Sequence, residues 1–464
     1  MELEKTEFDL IICGAGTGGT TAARFAAKKA LDVCLIDRKE RYDIGKKICG
    51  DAVGKEIFDI LQISPPSGKE KSCDIKGAKL YPPNRQKCIT MIDPKQTGYI
   101  VDRFEFGQRL LQEALNAGVN SFLDHTMALD LLYDSNGYVS GVKVKTKDGS
   151  EHELHSKLVI DACGYYSPLR KKIESPIIEK EISDEDAILC YREIIKFPAR
   201  DQEVQDQEYI SIILDQEKAP GGYIWYFPKD RYSINLGLGV YPKFGGKVKE
   251  YYKEYAFKEF VHTTDIEIVS SGGGVVPVRR PLWSCASDGI MFVGDSACQV
   301  SPLHGGGIDP SMRGGYFAAQ TAYDAIQAGD YSIIQLWDYN RKVMIDFGAE
   351  FAALDLLRRV LQSLGNVDLN FGLEKEILTA SEILQIAGTG EVSLSLWDMA
   401  FKAFKGISRP NLLLDLNYLR IRMNEINSLY KAFPKKVTYF EDWKDRVKEI
   451  YSKIKRMVIE AKEK

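Results

Sequence analysis

The chain has 464 residues, 44% hydrophobic, 28% charged and 11% aromatic, which is an ordinary folded composition and length enough for about three structural units at ~150 residues each. Sixty-two basic against 66 acidic residues leave a formal net charge of -4, without the cationic excess on which nucleic-acid binding depends. An acidic start, no apolar run of the ~18 residues a membrane span needs, and nine cysteines without a C-x-x-C pair point to a cytoplasmic protein lacking a signal peptide, a disulfide framework and a metal site.

Residues 8–13 form a short apolar strand leading into Gly14-Ala15-Gly16-Thr17-Gly18-Gly19, and an Ala-rich helical stretch follows over residues 20–30. Strand, glycine turn and helix in this order bind a dinucleotide. Gly14 permits the tight turn, Gly16 lets a pyrophosphate approach the backbone, and Gly19 allows close helix-to-strand packing. A second strand, residues 32–36, ends at Asp37, whose carboxylate can accept both ribose hydroxyls of an adenosine. Gly14, Ala15, Gly16, Gly19, Asp37 and the adjoining Arg38 are therefore candidate cofactor contacts, with FAD and NAD both open on these residues alone. Next, Cys49-Gly50 follows Lys46 and Lys47. A nearby cation would favour the Cys49 thiolate, whereas a small residue beside glycine would simply permit close packing.

Residues 99–119 read as a helix containing Arg103, with apolar positions at Phe106, Leu110, Leu111 and Leu115, and a strand follows near residues 126–131. Alternating or apolar runs at 187–197, 209–214, 222–227 and 232–240, punctuated by Gly and Pro, favour an antiparallel sheet. Tyr223, Trp225 and Phe227 have period two and share one face. A short strand at 289–293 precedes Gly294-Asp295-Ser296-Ala297 and then Gly305-Gly306-Gly307-Ile308, with a lone His304 beside the turn. Beyond residue 331 the pattern is helical, with segments at 347–362 and 374–386 prominent. Over residues 431–464, 11 Lys and Arg face 6 Asp and Glu, while Trp443, Val447, Ile450, Ile454 and Val458 recur at helical spacing. Such a basic amphipathic helix can rest on anionic lipid at the inner face of the membrane, or pack on its own domain with a solvated basic side.

The glycine segments at 14–19 and 294–308, together with Val159-Ile160-Asp161-Ala162-Cys163-Gly164 and residues 167–170, resemble the three fingerprints of the p-hydroxybenzoate hydroxylase-like flavoprotein superfamily. The resemblance implies FAD, with Arg103 on its diphosphate, backbone at Met127 passing the adenine, and Asp295 on the ribityl chain. It also implies that Gly306, Gly307 and Ile308 begin a helix under the isoalloxazine. The fold so implied is α/β, an α+β mosaic. A Rossmann-type FAD-binding domain (residues 1–73, 99–175 and 280–330) carries an inserted antiparallel-sheet substrate domain (74–98 and 176–279) and a helical C-terminal domain (331–464).

Pro220-Gly221-Gly222-Tyr223-Ile224-Trp225-Tyr226-Phe227-Pro228 with the trailing Gly237-Leu238-Gly239, together with Lys47-Ile48-Cys49-Gly50, resembles the geranylgeranyl reductases over nearly the whole chain. Asp51 departs from the small residues expected after Gly50. This resemblance implies an isoprenoid lipid substrate against Tyr223, Trp225 and Phe227, reduction of isolated double bonds in archaeal membrane lipid precursors, and Cys49, Tyr223 and Trp225 as catalytic candidates. NAD(P)H and ferredoxin both stand as electron donor, and the chain is expected as a monomer or weak oligomer. The rival readings are an aromatic hydroxylase or halogenase of the same fold, and a prenyl-lipid carrier without redox chemistry.

Overall fold

The computed structural model describes residues 5–93, 97–198, 203–392 and 410–463. The chain opens with β1 (Glu7–Cys13), α1 (Thr17–Ala27) and β2 (Val33–Ile36). The helix begins at Thr17, three residues earlier than the sequence reading, directly after Gly16. A Cβ at Gly19 would lie 1.8 Å from the Gly14 carbonyl oxygen, and Gly14 itself has φ +112°, so both positions demand glycine. β3 (Ala52–Gly54) and α2 (Glu56–Ile60) precede β4 (Lys71–Ile75), β5 (Gly77–Tyr81), β6 (Ile89–Ile92) and β7 (Gly98–Val101). The expected helix over 99–119 is shorter, α3 (Arg103–Asn116), because residues 99–101 pair as β7 and Asp102 caps the helix, its carboxylate accepting from the Phe104 and Glu105 N–H groups.

β8 (Ser121–Leu123), β9 (Met127–Tyr133), β10 (Val139–Lys145) and β11 (Glu151–Asp161) follow, then α4 (Pro168–Lys172). Downstream lie β12 (Ala187–Lys196), β13 (Tyr209–Ile213), β14 (Ile224–Asp230) and β15 (Ser233–Val240). After them α5 (Val248–Tyr251) and α6 (Lys258–Phe260) flank a π-helical turn, and β16 (Glu267–Pro277), β17 (Ala286–Ser287) and β18 (Ile290–Phe292) complete the strands.

One sheet runs β17-β18-β11-β1-β2-β8, parallel from β18 to β8, with β10 antiparallel to β11 and β9 antiparallel to β10. Its central strands β1, β2 and β18 are largely buried apolar runs, as expected of a sheet covered on both faces. A second sheet runs β16-β12-β15-β14-β13-β5-β6. It is antiparallel except where β13 pairs parallel with β5, a correction to the all-antiparallel expectation. The Gly-rich β16 was also missed, because glycines carry no alternation to read. One face of this sheet, including Ile195, Ile224, Tyr226, Leu236 and Leu238, is buried against residues 248–260. The other carries Trp225 and Phe227.

The C-terminal third is helical: α7 (Ile308–Ala328), α8 (Ile333–Val343), α9 (Ala349–Leu361), α10 (Asn366–Glu374), α11 (Ala380–Thr389), and two long helices, Pro410–Lys431 and Phe440–Glu463. The helix expected over 374–386 is interrupted, because α10 ends at Glu374 and α11 starts at a capping box of Thr379 and Glu382. Trp443, Val447, Ile450 and Ile454 of the last helix are buried in the main core, so its apolar stripe packs on the protein itself. Asp355 of α9 binds Arg358 and Arg359, which also hold Asp186 just before β12, and accepts from Tyr451 of the last helix. Those guanidinium groups keep the buried Asp355 carboxyl well below the usual range.

Candidate functional site

A cleft at the mouth of the first glycine turn is lined by Ala15, Gly16, Thr17, Thr20, Asp37, Lys39, Ile44, Gly45, Lys47, Arg103 and Gly107. Open space surrounds the position a Cβ would take on Gly16. Asp37 accepts from the Ala15 N–H at 2.7 Å and from the Lys39 N–H at 2.8 Å, which ties the end of β2 to the turn. Arg103, the first residue of α3, is 7% exposed, yet among the described residues its Nε and Nη1 have no hydrogen-bond partner. A buried guanidinium with bare donors beside an open glycine turn and the start of α1 fits a diphosphate. The residues present therefore match FAD on their own chemistry.

Other expected contacts are placed less centrally. Arg38 is exposed, and Lys39, not Arg38, lines the cleft. Met127 begins β9 and is 42% exposed, so only its backbone is on offer. The cleft residues Thr17, Thr20, Ile44 and Gly45 escaped sequence reading. Gly107 did carry a signal, a glycine inside a helical pattern, and a Cβ there would lie 2.3 Å from the Gly45 Cα.

Lys47 connects this cleft to the second half of the site, donating to Asp295 at 2.9 Å. Asp295 sits in the short turn Gly294–Ala297, which is fixed from below. Ser296 Oγ donates to the Asp161 carbonyl at 2.7 Å, and the buried Arg170 donates to the Ser296 carbonyl at 2.9 Å. Residues 159–170 thus act as the support of that turn. Gly305 has φ +68°, and α7 starts immediately after Gly307 with no side chain capping it, so Ile308 opens a helix whose first N–H groups and positive dipole end are free to meet electron-rich ring atoms.

The aromatic row meets this turn. Tyr223 Oη donates to the His304 carbonyl at 2.6 Å, and its ring lies edge-on to Trp225 with centroids 6.2 Å apart. Burial, with the thiols of Cys190 and Cys49 adding, raises the Tyr223 hydroxyl well above its ordinary value, so it stays a donor. His304 itself accepts the Gly306 N–H, a structural contact. Trp225 lies flat over Gly237, where a Cβ would meet the ring at 2.2 Å. Phe227 packs on Gly50, where a Cβ would be 2.8 Å from its ring.

Cys49 is half-buried, and neither neighbouring lysine serves it: Lys46 pairs with Asp43 and Lys47 with Asp295. Burial pushes the nearby Cys190 thiol up to about 12. The departure at Asp51 acquires a reason. Asp51 is 1% exposed, at φ +66°, and binds Lys229 at 3.1 Å and the Asn235 amide at 3.0 Å. Asn235 also donates to the Cys49 carbonyl at 2.8 Å and accepts the Trp225 indole N–H at 3.0 Å. One fully buried amide therefore fixes both the Cys49-Gly50 loop and the tryptophan ring. Lys229 and Asn235 were missed, although a polar residue within an apolar strand run is a readable signal of buried pairing.

Residues 186–276 match the model of the geranylgeranyl reductase catalytic domain, and residues 65–188 match an FAD binding domain. The chain is 36% identical over 458 residues to the digeranylgeranylglycerophospholipid reductase of Sulfolobus acidocaldarius, covering 98% of this chain and 99% of that one. It is 31% identical over 435 residues to digeranylgeranylglycerophospholipid reductase 2 of Methanococcoides burtonii, covering 92% and 100%. Among solved structures, a geranylgeranyl bacteriochlorophyll reductase-like protein from Thermoplasma acidophilum superposes with TM-score 0.76 at 24% identity, covering 89% of this chain and 100% of that one. A flavin-dependent brominase superposes with TM-score 0.62 at 18% identity, covering 82% and 94%. At those identities the two structures establish the fold.

Proposed function

The chain belongs to the digeranylgeranylglycerophospholipid reductase family, and from that premise we propose how its site performs the reaction. The protein is an FAD-dependent oxidoreductase that reduces geranylgeranyl chains of archaeal membrane lipids. The observation that carries the site reading is the contact of Tyr223 with the His304 carbonyl and of Phe227 with Gly50, which sets the aromatic row against the Gly305 turn and the Cys49 loop.

An isolated trisubstituted alkene has no carbonyl to accept electron density, so proton addition must lead or accompany hydride delivery. Gly14, Gly16, Asp37 and Arg103 would hold FAD, with Gly306, Gly307 and Ile308 at its ring, and once reduced the cofactor would supply the hydride. Tyr223 and Trp225 present π faces to the carbon that becomes electron-poor. Asn235 holds the Trp225 ring in that orientation through its indole N–H, and the dry surface around Phe227, Ile75 and Ile100 keeps water from the cationic centre. Cys49, packed against the adjoining cluster that includes Ile57 and Ile308, is a candidate proton carrier. A twenty-carbon chain represents on the order of 15 kcal/mol of transfer energy at ~0.8 kcal/mol per methylene, so the cavity must be comparably apolar to draw it from a membrane.

Among the described residues no helix is long and apolar enough to cross a membrane. With most of its apolar stripe buried, the last helix would meet anionic lipid through a solvated side on which Lys444, Lys448 and Lys453 already pair with Glu441, Asp445 and Glu449. The electron donor in this reading is NAD(P)H or ferredoxin, and the protein is a monomer or weak oligomer. We further place the FAD-binding unit on residues 1–73, 99–175 and 280–330, and the substrate unit on 74–98 and 176–279.

The test is to reduce purified holoenzyme with dithionite under argon, add a geranylgeranylated lipid, and follow addition of hydrogen by mass spectrometry. Trp225→Leu is expected to slow reduction more than it weakens lipid binding. A protein without flavin absorbance, or equal losses in rate and binding, would count against this reading. Oxygen-dependent hydroxylation in place of saturation would favour the hydroxylase of the same fold.

A further inference from the structure

We propose that Arg192 is the receptor for a phosphate anion on the substrate's head group. The inference rests on the lipid reading of the aromatic face and names what holds the polar end of that lipid. In the second sheet Trp225 is registered opposite Gly237, Gly237 opposite Arg192, and Arg192 opposite Gly272. Arg192 shares the face of Trp225: a Cβ on Gly237 would touch the Trp225 ring at 2.2 Å and the Arg192 Cβ at 2.7 Å. The glycine lets the indole lie across the sheet toward the arginine. Two strand spacings of ~4.8 Å place Arg192 about 10 Å from Trp225 along this row. That is comparable to the reach from the phosphate of a glycerol ether lipid to its first olefin.

The state of the guanidinium supplies the chemistry. Arg192 is 5% exposed, its Nη1 donates to the Ser270 hydroxyl at 2.5 Å, and among the described residues its Nε has no hydrogen-bond partner. No carboxylate pairs with it among the described residues. The adjacent Glu193 points to the opposite face, where Tyr191 and Tyr252 donate to it. Other buried arginines are provided for: Arg279 and Arg280 hold Glu179, Arg358 holds Asp355 and Asp186, and Arg170 serves three main-chain carbonyls. Arg103, beside the cofactor cleft, shares the unpaired condition of Arg192. A cation withdrawn from water without a counter-charge is costly, and a phosphate recovers that cost through a charge-assisted fork. Opposite Arg192, Gly272 carries no side chain of its own, and Ile48 from the Cys49 loop occupies that space, its Cδ1 2.6 Å from where a Cβ would stand, so a head group would have to displace it. The head group would therefore enter under the same loop that borders the aromatic row.

The experiment compares wild-type, Arg192→Met and Arg192→Lys holoenzymes on three prenyl substrates: digeranylgeranylglyceryl phosphate, geranylgeranyl diphosphate and uncharged geranylgeraniol. Arg192→Met is expected to raise KM ~10- to 100-fold for phosphorylated substrate while leaving kcat/KM for the alcohol within about twofold, as loss of a charged hydrogen-bonding group predicts. Arg192→Lys, which keeps the charge but loses the fork, is expected to fall between and guards against a folding defect in the Met variant. An effect on the glyceryl phosphate alone assigns the anion to a membrane-lipid head group, and an effect on the diphosphate alone assigns it to a free prenyl ester. Equal losses on all three substrates, no change on either phosphorylated one, or loss of bound FAD from both variants would overturn the proposal. Wild-type enzyme that reduces none of the three would instead bring down the lipid reading on which the proposal stands, and the proposal with it.

Discussion

Taking one charge at a time from the Asp51–Lys229 pair tests how the Cys49-Gly50 loop is held. Asp51 is 1% exposed and Lys229 8%, they meet at 3.1 Å, and the Lys229 ammonium also donates to the Val101 carbonyl, at 3.0 Å. Asp51→Asn keeps the shape and tolerates the φ of +66°, because asparagine visits the left-handed region, but it leaves the ammonium without a counter-charge. Breaking a buried pair from one side costs about 3–5 kcal/mol, and Lys229→Met should cost a similar amount by stranding the carboxylate. Asp51→Asn/Lys229→Met removes both charges and should be more stable than either single variant, with a coupling energy of about 3 kcal/mol or more. Thermal unfolding of the four holoenzymes measures the cycle, and turnover on geranylgeranylated lipid shows whether the displaced loop slows reduction. Coupling within about 0.5 kcal/mol of zero would refute the argument, since the two residues would then be independent.

Three further outcomes follow from the geometry. Arg103→Met should weaken FAD retention ~10- to 100-fold, read as flavin fluorescence released on dilution, because the bare guanidinium is the buried cation of the cofactor cleft; unchanged retention would remove it from the cofactor site. Gly237→Ala should cost about 1–3 kcal/mol and lower turnover by displacing the Trp225 ring, while the flavin spectrum stays as in the wild type. Burial, with Asp309, Asp346 and Glu56 nearby outweighing Arg313, pushes Glu350 up to about 8 from an ordinary 4.5. The folded protein then holds a proton that the unfolded chain releases, so this group's contribution to stability is full below pH ~4.5 and falls as pH rises through 8. Glu350→Gln should flatten that fall and raise the melting temperature at pH 8, an effect on the order of a few kcal/mol at most; an unchanged slope between pH 5 and 9 would refute it.

The sequence by itself determined the parts whose chemistry is local. Gly14, Gly16 and Gly19 do their work within one strand, turn and helix, Asp37 ends the next strand, and period two alone puts Tyr223, Trp225 and Phe227 on one face. Local signals also misled where pairing competed with them: residues 99–101 became part of the central strand of a three-stranded sheet, and the helical pattern at 374–386 broke at the Thr379 cap. The basic amphipathic helix offered two destinations for its apolar stripe, and packing placed Trp443, Val447, Ile450 and Ile454 in the protein's own core. Tertiary structure alone decided what is long-range: that Asn235 lies under Cys49, 186 residues away, that Asp51 needs Lys229 across 178 residues, and that Arg192 has no carboxylate among the described residues while Arg279 has Glu179. Whether a buried charge is paired depends on which strands become neighbours, and that is settled by burial of whole sheet faces.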